Sequence, residues 1–439
     1  MNDLFIRTLK DLLSINSVYD ATTVTSQRPY GLGVSQALEY MKALALKDGF
    51  DVEEYEGHAI SITLNPGYPR IDVVSHLDVV EPGEGWTSDP FTPRLQDNKL
   101  IARGTEDMKT TALLSYVILK EIRDSKRPLT HTLRVVFGTD EERTMKDMEH
   151  YITQAGQPKF AFTPDGYFPL SIGEKGALMW ELEGNLDHEG LELNGGVQCN
   201  VIAPSCVFSL KDLDETLAAQ LIHDLKLNAS IQNHQIQITG KAGHASRPDS
   251  GHNAIVDALE LLSHLTQNQS LQVMYQCFKD PYGRSAGISI THPSMKELTL
   301  NLGVLKIHQG KVFAQVDCRY PINTSSEKLS RKLKDQLPFL EISLPYDAKP
   351  TLADINNPYV QTLLESYKRH YLDDLEPVIS GGVSYCKVFE NSVAFGPHWQ
   401  ATGSTAHQKN EGIDIDFIND LYHVYQAAMI ALATQKEIP

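Results

Sequence analysis

Residues 71–80, IDVVSHLDVV, decide how the chain is read. An apolar run this short predicts a buried strand ending in a histidine and an aspartate. Side chains alternate along a strand, so His76 and Asp78, two residues apart, are expected on one side. An isolated His-x-Asp arises by chance too often to carry a function. Its neighbours have to say what it is for.

Outward from this stretch, strands alternate with helices. DVEEYEGHAISITL before it reads as strand. TTALLSYVILKEIRDS after it reads as a helix, with Leu113, Leu114, Val117, Ile118 and Ile122 on one stripe. TLRVVFGTDEE is a further strand whose apolar run breaks off into acids, and KFAFTPDGYFPL is another, closed by a Pro-Asp-Gly turn. The opening MNDLFIRTLKDLLSI places Phe5, Leu9, Leu12 and Leu13 at helical spacing. Charges interrupt its apolar positions, so it does not read as a signal peptide. This alternation predicts an α/β layer with a mixed, mostly parallel sheet sandwiched by helices. Ligands bind such sheets at the carboxyl ends of the strands.

The middle of the chain changes character. From about Gly173 to about Pro345 come β-rich stretches such as ALMWELEG and ELTLNLGVLKIHQGKVFAQVDCRYP, with one clear helix, NAIVDALELLSHLTQ. After it the α/β pattern returns, with a helical tail from about Asp416. The expected organisation is a catalytic domain in two parts, residues 1–172 and 346–439, with an α+β lid domain inserted at 173–345.

Composition narrows the function classes. At 439 residues the chain exceeds one typical core. A net charge of −17 argues against general nucleic-acid binding and against an anionic membrane surface. No apolar run approaches the about 20 residues of a membrane span. The five cysteines form no Cys-x-x-Cys pair and read as reduced thiols of a cytoplasmic protein.

The acids and histidines cluster at strand ends and loops: His76 and Asp78, Asp107 in ARGTEDMK, Asp140, Glu141 and Glu142 in FGTDEE, Asp165 in FTPDGYFP, and His407 in STAHQKNE. Each alone is explained by a turn, a helix start or a solvated loop. Together they are not, because adjacent acids repel unless a cation lies nearby. A dinuclear site with one shared carboxylate needs about five His and carboxylate ligands, a donor set that suits zinc and also cobalt or manganese.

In their order along the chain, these motifs resemble the dinuclear zinc exopeptidase and deacylase family that includes acetylornithine deacetylase, succinyl-diaminopimelate desuccinylase, aminoacylase and carnosinase. TPDGYFPL, GEKG, GHASRPDSGHNAI, DPYGRSAGI, NLGVL and RYP resemble the PepV-type bacterial dipeptidases within it. The resemblance implies two divalent metals, zinc first. His76 and Asp165 would hold one, Glu142 and His407 the other, and Asp107 would bridge them. Asp78 would orient the His76 ring, and Glu141 would be the general base. A cis peptide bond is implied after Asp107. From the inserted domain, His244 would stabilise the oxyanion. Asn200 and Arg319 would hold the substrate backbone and carboxylate, with Gly382 beside them. The stretch SGGVSYCKV, residues 380–388, departs from the family's Gly-Gly-Gly-Thr-Tyr-Ala-Arg, which bears on substrate preference and leaves the metal set intact.

The activity so implied is dipeptide hydrolysis, with a small peptide as the partner molecule. Amide hydrolysis needs a hydroxide at neutral pH, which zinc makes available, and a carboxylate that carries the proton to the leaving amine. An N-acyl-amino-acid deacylase of the same family and an inactive binding protein of the same fold are the alternatives. The long insert leans towards a monomer rather than the family's lid-paired dimers.

Overall fold

The computed structural model describes residues 3–188 and 190–436. They form two compact units. The first holds the chain up to Gly173, Leu352–Ser380 and the chain from Ser384; the second holds Glu174–Thr351 and Gly381–Val383.

The first unit is built on a sheet whose centre is four parallel strands in the order Thr132–Gly138, Arg70–His76, Phe160–Thr163 and Ser392–Ala394. Antiparallel strands flank them: the hairpin Val52–Tyr55 and Ala59–Leu64 on one side, Ser171–Glu174 on the other. The sheet is thus mixed, and its parallel run is confined to the centre. All seven residues of Thr132–Gly138 are buried, as expected for a strand covered on both faces. Helices Asp3–Leu13, Leu32–Lys47, Lys109–Asp124, Pro358–Tyr371 and Ile415–Thr434 share a core with Ile71, Val73, Val135 and Phe162. The alternate residue Asp72 faces the other way, where it accepts a hydrogen bond from Tyr151 of helix Lys146–Ala155 (2.7 Å).

Register brings the chemistry together. His76 lies opposite Gly138, so the loop bearing Glu141 and Glu142 leaves the sheet directly beside the histidine. Gly138 has to be glycine, because a Cβ there would run into the Tyr385 hydroxyl and the Asp147 carboxylate.

The second unit is an eight-stranded antiparallel sheet with helices Glu215–Asp224, Ala254–Leu265, Gln269–Phe278 and Ser326–Gln336. The sequence singled out only Ala254–Leu265. In strand Thr299–His308 the register shifts between Leu302 and Val304, so Gly303 is an extra residue. The bulge changes the buried parity from Leu300 and Leu302 to Leu305 and Ile307, which keeps both halves on the core. The second unit also extends beyond the expected limit at Pro345: Leu340–Ala348 continues past that residue, antiparallel to Gly176–Asn185.

No helix among the described residues is long and apolar enough to cross a membrane. All five cysteines are free thiols.

Leu12 is fully buried in the first core. Leu12→Ala should lower the stability of that unit by about 2–5 kcal/mol, read as a shift in denaturant midpoint. A shift worth less than about 0.5 kcal/mol would show that the first helix is not part of the core.

Candidate metal centre

Strand Arg70–His76 ends on a fully buried histidine. His76 Nδ1 donates to the Asp78 main-chain carbonyl (2.9 Å), which leaves the Nε2 lone pair facing the site. Nε2 lies 3.1 Å from Asp107 Oδ1 and 3.6 Å from Asp165 Oδ2. The other oxygen of Asp107 lies 2.9 Å from His407 Nε2, and His407 Nε2 lies 3.1 Å from Glu142 Oε1. Asp107 therefore stands between two imidazoles, one carboxylate oxygen towards each. Donor atoms of His76, Asp107 and Glu142, and of His76, Glu141 and Asp165, lie within 4.8 Å of one another. The Asp107–Met108 peptide is cis.

Asp78 lies against the His76 ring and holds more besides. The strand stops at His76, so Asp78 lies in the following loop. Its carbonyl holds the imidazole, while its carboxylate is 3.5 Å from Nδ1 and accepts the N–H groups of Glu141 (3.3 Å) and Glu142 (3.1 Å). The side chain expected to orient His76 thus also holds the loop that carries Glu141 and Glu142.

Further supports were not singled out in the sequence. Glu411 is fully buried and accepts from the N–H groups of Glu106 (2.7 Å), Gly104 (3.1 Å) and Asp107 (3.2 Å) and from Arg103 (2.6 Å). Asp147 accepts from Thr139 N–H (2.5 Å), Asp140 N–H (3.0 Å) and the Tyr385 hydroxyl. Burial, reinforced by the Asp78 charge, pushes the Asp147 carboxyl up to about 7. The Tyr385 ring also meets His76 edge-on, centroids 6.2 Å apart. Lys109 is buried and donates to the carbonyls of Leu12 (3.2 Å) and Ile15 (2.8 Å), tying the Asp107 segment to the end of the first helix.

The second unit carries the other predicted residues. Asn200 and His244 lie on adjoining segments: Ala245 N–H donates to Asn200 O (2.9 Å) and Ile202 N–H to Gly243 O (2.8 Å). Asn301 holds the Asn200 segment by donating to the carbonyls of Cys199 (2.9 Å) and Val201 (3.0 Å). His244 Nδ1 accepts from Ser246 N–H (3.1 Å), which puts the proton of the neutral ring on Nε2. Arg319 is engaged within its own unit. Its Nε and Nη2 grip Asp317 (2.9 and 2.7 Å) and its Nη1 donates to Gly381 O (3.1 Å). One edge of its guanidinium is thus held by an internal carboxylate, leaving one hydrogen on each terminal nitrogen. Gly382, in the Gly381–Val383 segment that packs with this unit, is exposed.

The donor set of the first unit fits divalent cations. Burial pushes Glu142 up to about 7, with the Asp107 charge adding to it. Burial drives Glu141 well above the usual carboxylate range, with Asp165, Glu142 and Asp107 adding and His76 opposing. Burial would depress both histidines, yet their carboxylate partners raise His76 well above its ordinary value and His407 to about 11. Glu141 Oε1 is buried with no hydrogen-bond partner among the described residues. These shifts mark carboxylates and imidazoles that compete for protons, as groups suited to sharing a cation do. The ligand form of Glu142 is the carboxylate, which prevails above about pH 7. Metal binding should release protons, and affinity should fall as pH drops through that value. Calorimetric titration in buffers of different ionisation heat reads the release; affinity unchanged between about pH 6 and about pH 8 would refute it.

Residues 73–431 match the model of peptidase family M20/M25/M40. A Bacillus subtilis (strain 168) protein named "Putative dipeptidase YtjP" is 30% identical, over 98% of this chain and 97% of that protein. The M20 family metallo-carboxypeptidase Sso-CP2 from Sulfolobus solfataricus has the same fold, with a TM-score of 0.61 at 18% identity, over 98% of this chain and 99% of that one. Aminoacylhistidine dipeptidase from Vibrio alginolyticus gives 0.61 at 15% identity, over 98% of this chain and 97% of that one. The family match spans every residue from His76 to His407 discussed above, and with a full-length relative beside it the chain belongs to peptidase family M20/M25/M40.

Proposed function

We propose that this chain is a metal-dependent dipeptidase, hydrolysing the amide bond of dipeptides that carry a free carboxylate. The observation that carries the reading is Asp107, set between the imidazoles of His76 and His407 with one oxygen towards each. The dipeptide substrate class draws on the name of the Bacillus subtilis relative.

His76 and Asp165 would hold one ion, Glu142 and His407 the other, and Asp107 both. A bound pair of divalent ions, zinc first with cobalt or manganese as alternatives, supplies a water that ionises at neutral pH and a positive field for the reacting carbonyl. Glu141 is assigned the proton transfer. Burial and neighbouring acids raise its affinity for a proton, and its Oε1 is not engaged by another group among the described residues. It takes the proton at a carboxylate oxygen and returns it to the leaving amine. His244 is assigned an N–H donated to the carbonyl oxygen as charge develops there. Arg319 and Asn200 are assigned to the substrate's carboxylate and backbone, Gly382 to the same subsite.

A cytoplasmic monomer completes the reading. The free thiols accord with a reducing compartment, and the size of the second unit favours a single chain. Light scattering that reports a stable dimer overturns the monomer.

The decisive comparison is between neighbours. Glu141→Gln keeps size and cannot take the proton. It should retain metal and fold while kcat falls by about 10²–10⁴. Glu142→Gln should weaken one of the two ions. Metal stoichiometry and dipeptide turnover of both variants read the difference. Near-full activity of Glu141→Gln, or metal loss from it alone, refutes the assignment. Turnover of N-blocked amino acids with none of free dipeptides would make the chain a deacylase.

A further inference from the structure

We infer that Glu106 is a positioning residue for His407, so that one cation position of this chain is assembled through Glu106. The inference rests on the proposed reading of Asp107, Glu142 and His407 as ligands.

His407 is an unusual place for a ligand. Its side chain is 54% exposed, while His76 is fully buried. It lies in an irregular loop between Pro397–His398 and Gly412–Asp414, so no strand or helix aims it. Its φ is +63°, in the left-handed region that side chains other than glycine enter sparingly. Something outside the residue has to hold the loop.

Glu106 supplies the hold. Its Oε2 accepts from Thr405 N–H (2.5 Å), Thr405 Oγ1 (2.6 Å) and Ser404 Oγ (3.1 Å). Thr405 Oγ1 in turn accepts from Gly412 N–H (3.1 Å), and Ser404 Oγ accepts from Ala406 N–H (2.9 Å). The carboxylate therefore grips the loop at Ser404 and Thr405, just before His407, and, through one hydroxyl, its exit at Gly412. Three donors on one charged oxygen give a strong clamp. With Oε2 so engaged, Glu106 is a support beside a ligand. The clamp is also reciprocal. Glu411, four residues after His407, holds the N–H groups of Glu106 and Asp107. Each of the two segments thus lends a carboxylate to the other, and the pair sets Asp107 against His407 although 300 positions separate them.

The test uses the full chain, Zn²⁺ alone as probe, and elemental analysis after dialysis against graded chelator. Glu106→Ala should weaken one ion by about 10–100-fold, the usual effect of losing a residue that orients a ligand, and leave the other at its wild-type affinity. The melting temperature of the metal-free protein should be unchanged. Thr405→Val removes the hydroxyl and keeps the shape. It should act in the same direction, and its effect should shrink when added to Glu106→Ala. Both ions held by Glu106→Ala at wild-type affinity overturn the inference. So does equal weakening of both ions together with a lower melting temperature, which would mark a purely structural role. A wild-type chain that binds fewer than two ions removes the metal reading and this inference with it. Two ions bound normally with no dipeptide turnover would count against the proposed substrate alone.

Discussion

Like charges crowded at a buried strand edge are the constraint around which the first unit is arranged. Asp78, Asp107, Glu141, Glu142, Asp147 and Glu411 converge there, and a buried carboxylate without a partner is costly. The structure sorts them by partner. Asp78, Asp147 and Glu411 accept main-chain N–H groups, two or three each. Asp107 and Glu142 instead face imidazole nitrogens. The first group is held by backbone dipoles, although burial still pushes Asp147 up to about 7; the second pairs with histidine instead. The division between acids that hold backbone and acids that face histidine is therefore visible in what each oxygen touches.

The sequence shows one group far better than the other. His76, Glu142 and Asp165 follow apolar strands that break off into polar residues, and a parallel sheet places such ends side by side. Asp107 and His407 sit in loops without periodicity, and the motif order alone identified them. Glu411 lies within the quoted STAHQKNE, yet nothing in that string shows that its carboxylate reaches back to residues 104–107. The same holds for Asp147 and Tyr385, which meet across 238 positions. Hydrogen bonds to distant backbone leave no local pattern to read.

The second unit shows the same limit. The sequence places the end of the insert at about Pro345, but Leu340–Ala348 runs through that residue as an edge strand, where a missing N–H costs no ladder bond. Helix Ser326–Gln336 went unread because among its apolar residues only Leu329 and Leu333 are buried, too few for a stripe. The Asp317 partner of Arg319 was in plain view two residues before it, on the same strand face. A buried pair of this kind offsets the arginine charge locally and fixes the plane of the guanidinium.

The two units hold their loops with opposite chemistry, and the backbone dictates which. In the first unit the loops at residues 104–107 and 139–142 turn N–H groups inward, and only an acceptor can satisfy them; aspartate and glutamate fill that role. In the second, the segment at residues 199–201 turns the carbonyls of Cys199 and Val201 towards the sheet, so the support must donate. Asn301 does so through one amide nitrogen. Its own carbonyl oxygen accepts from Asn253, which also caps helix Ala254–Leu265 by accepting from Ile255 N–H. A lysine there could donate as well, but it would bring a charge and offer no acceptor to Asn253. Gly303 follows two residues later, and a side chain on it would strike the Cys199 backbone. One strand thus supplies both the donor that holds the Asn200 segment and the gap that admits it.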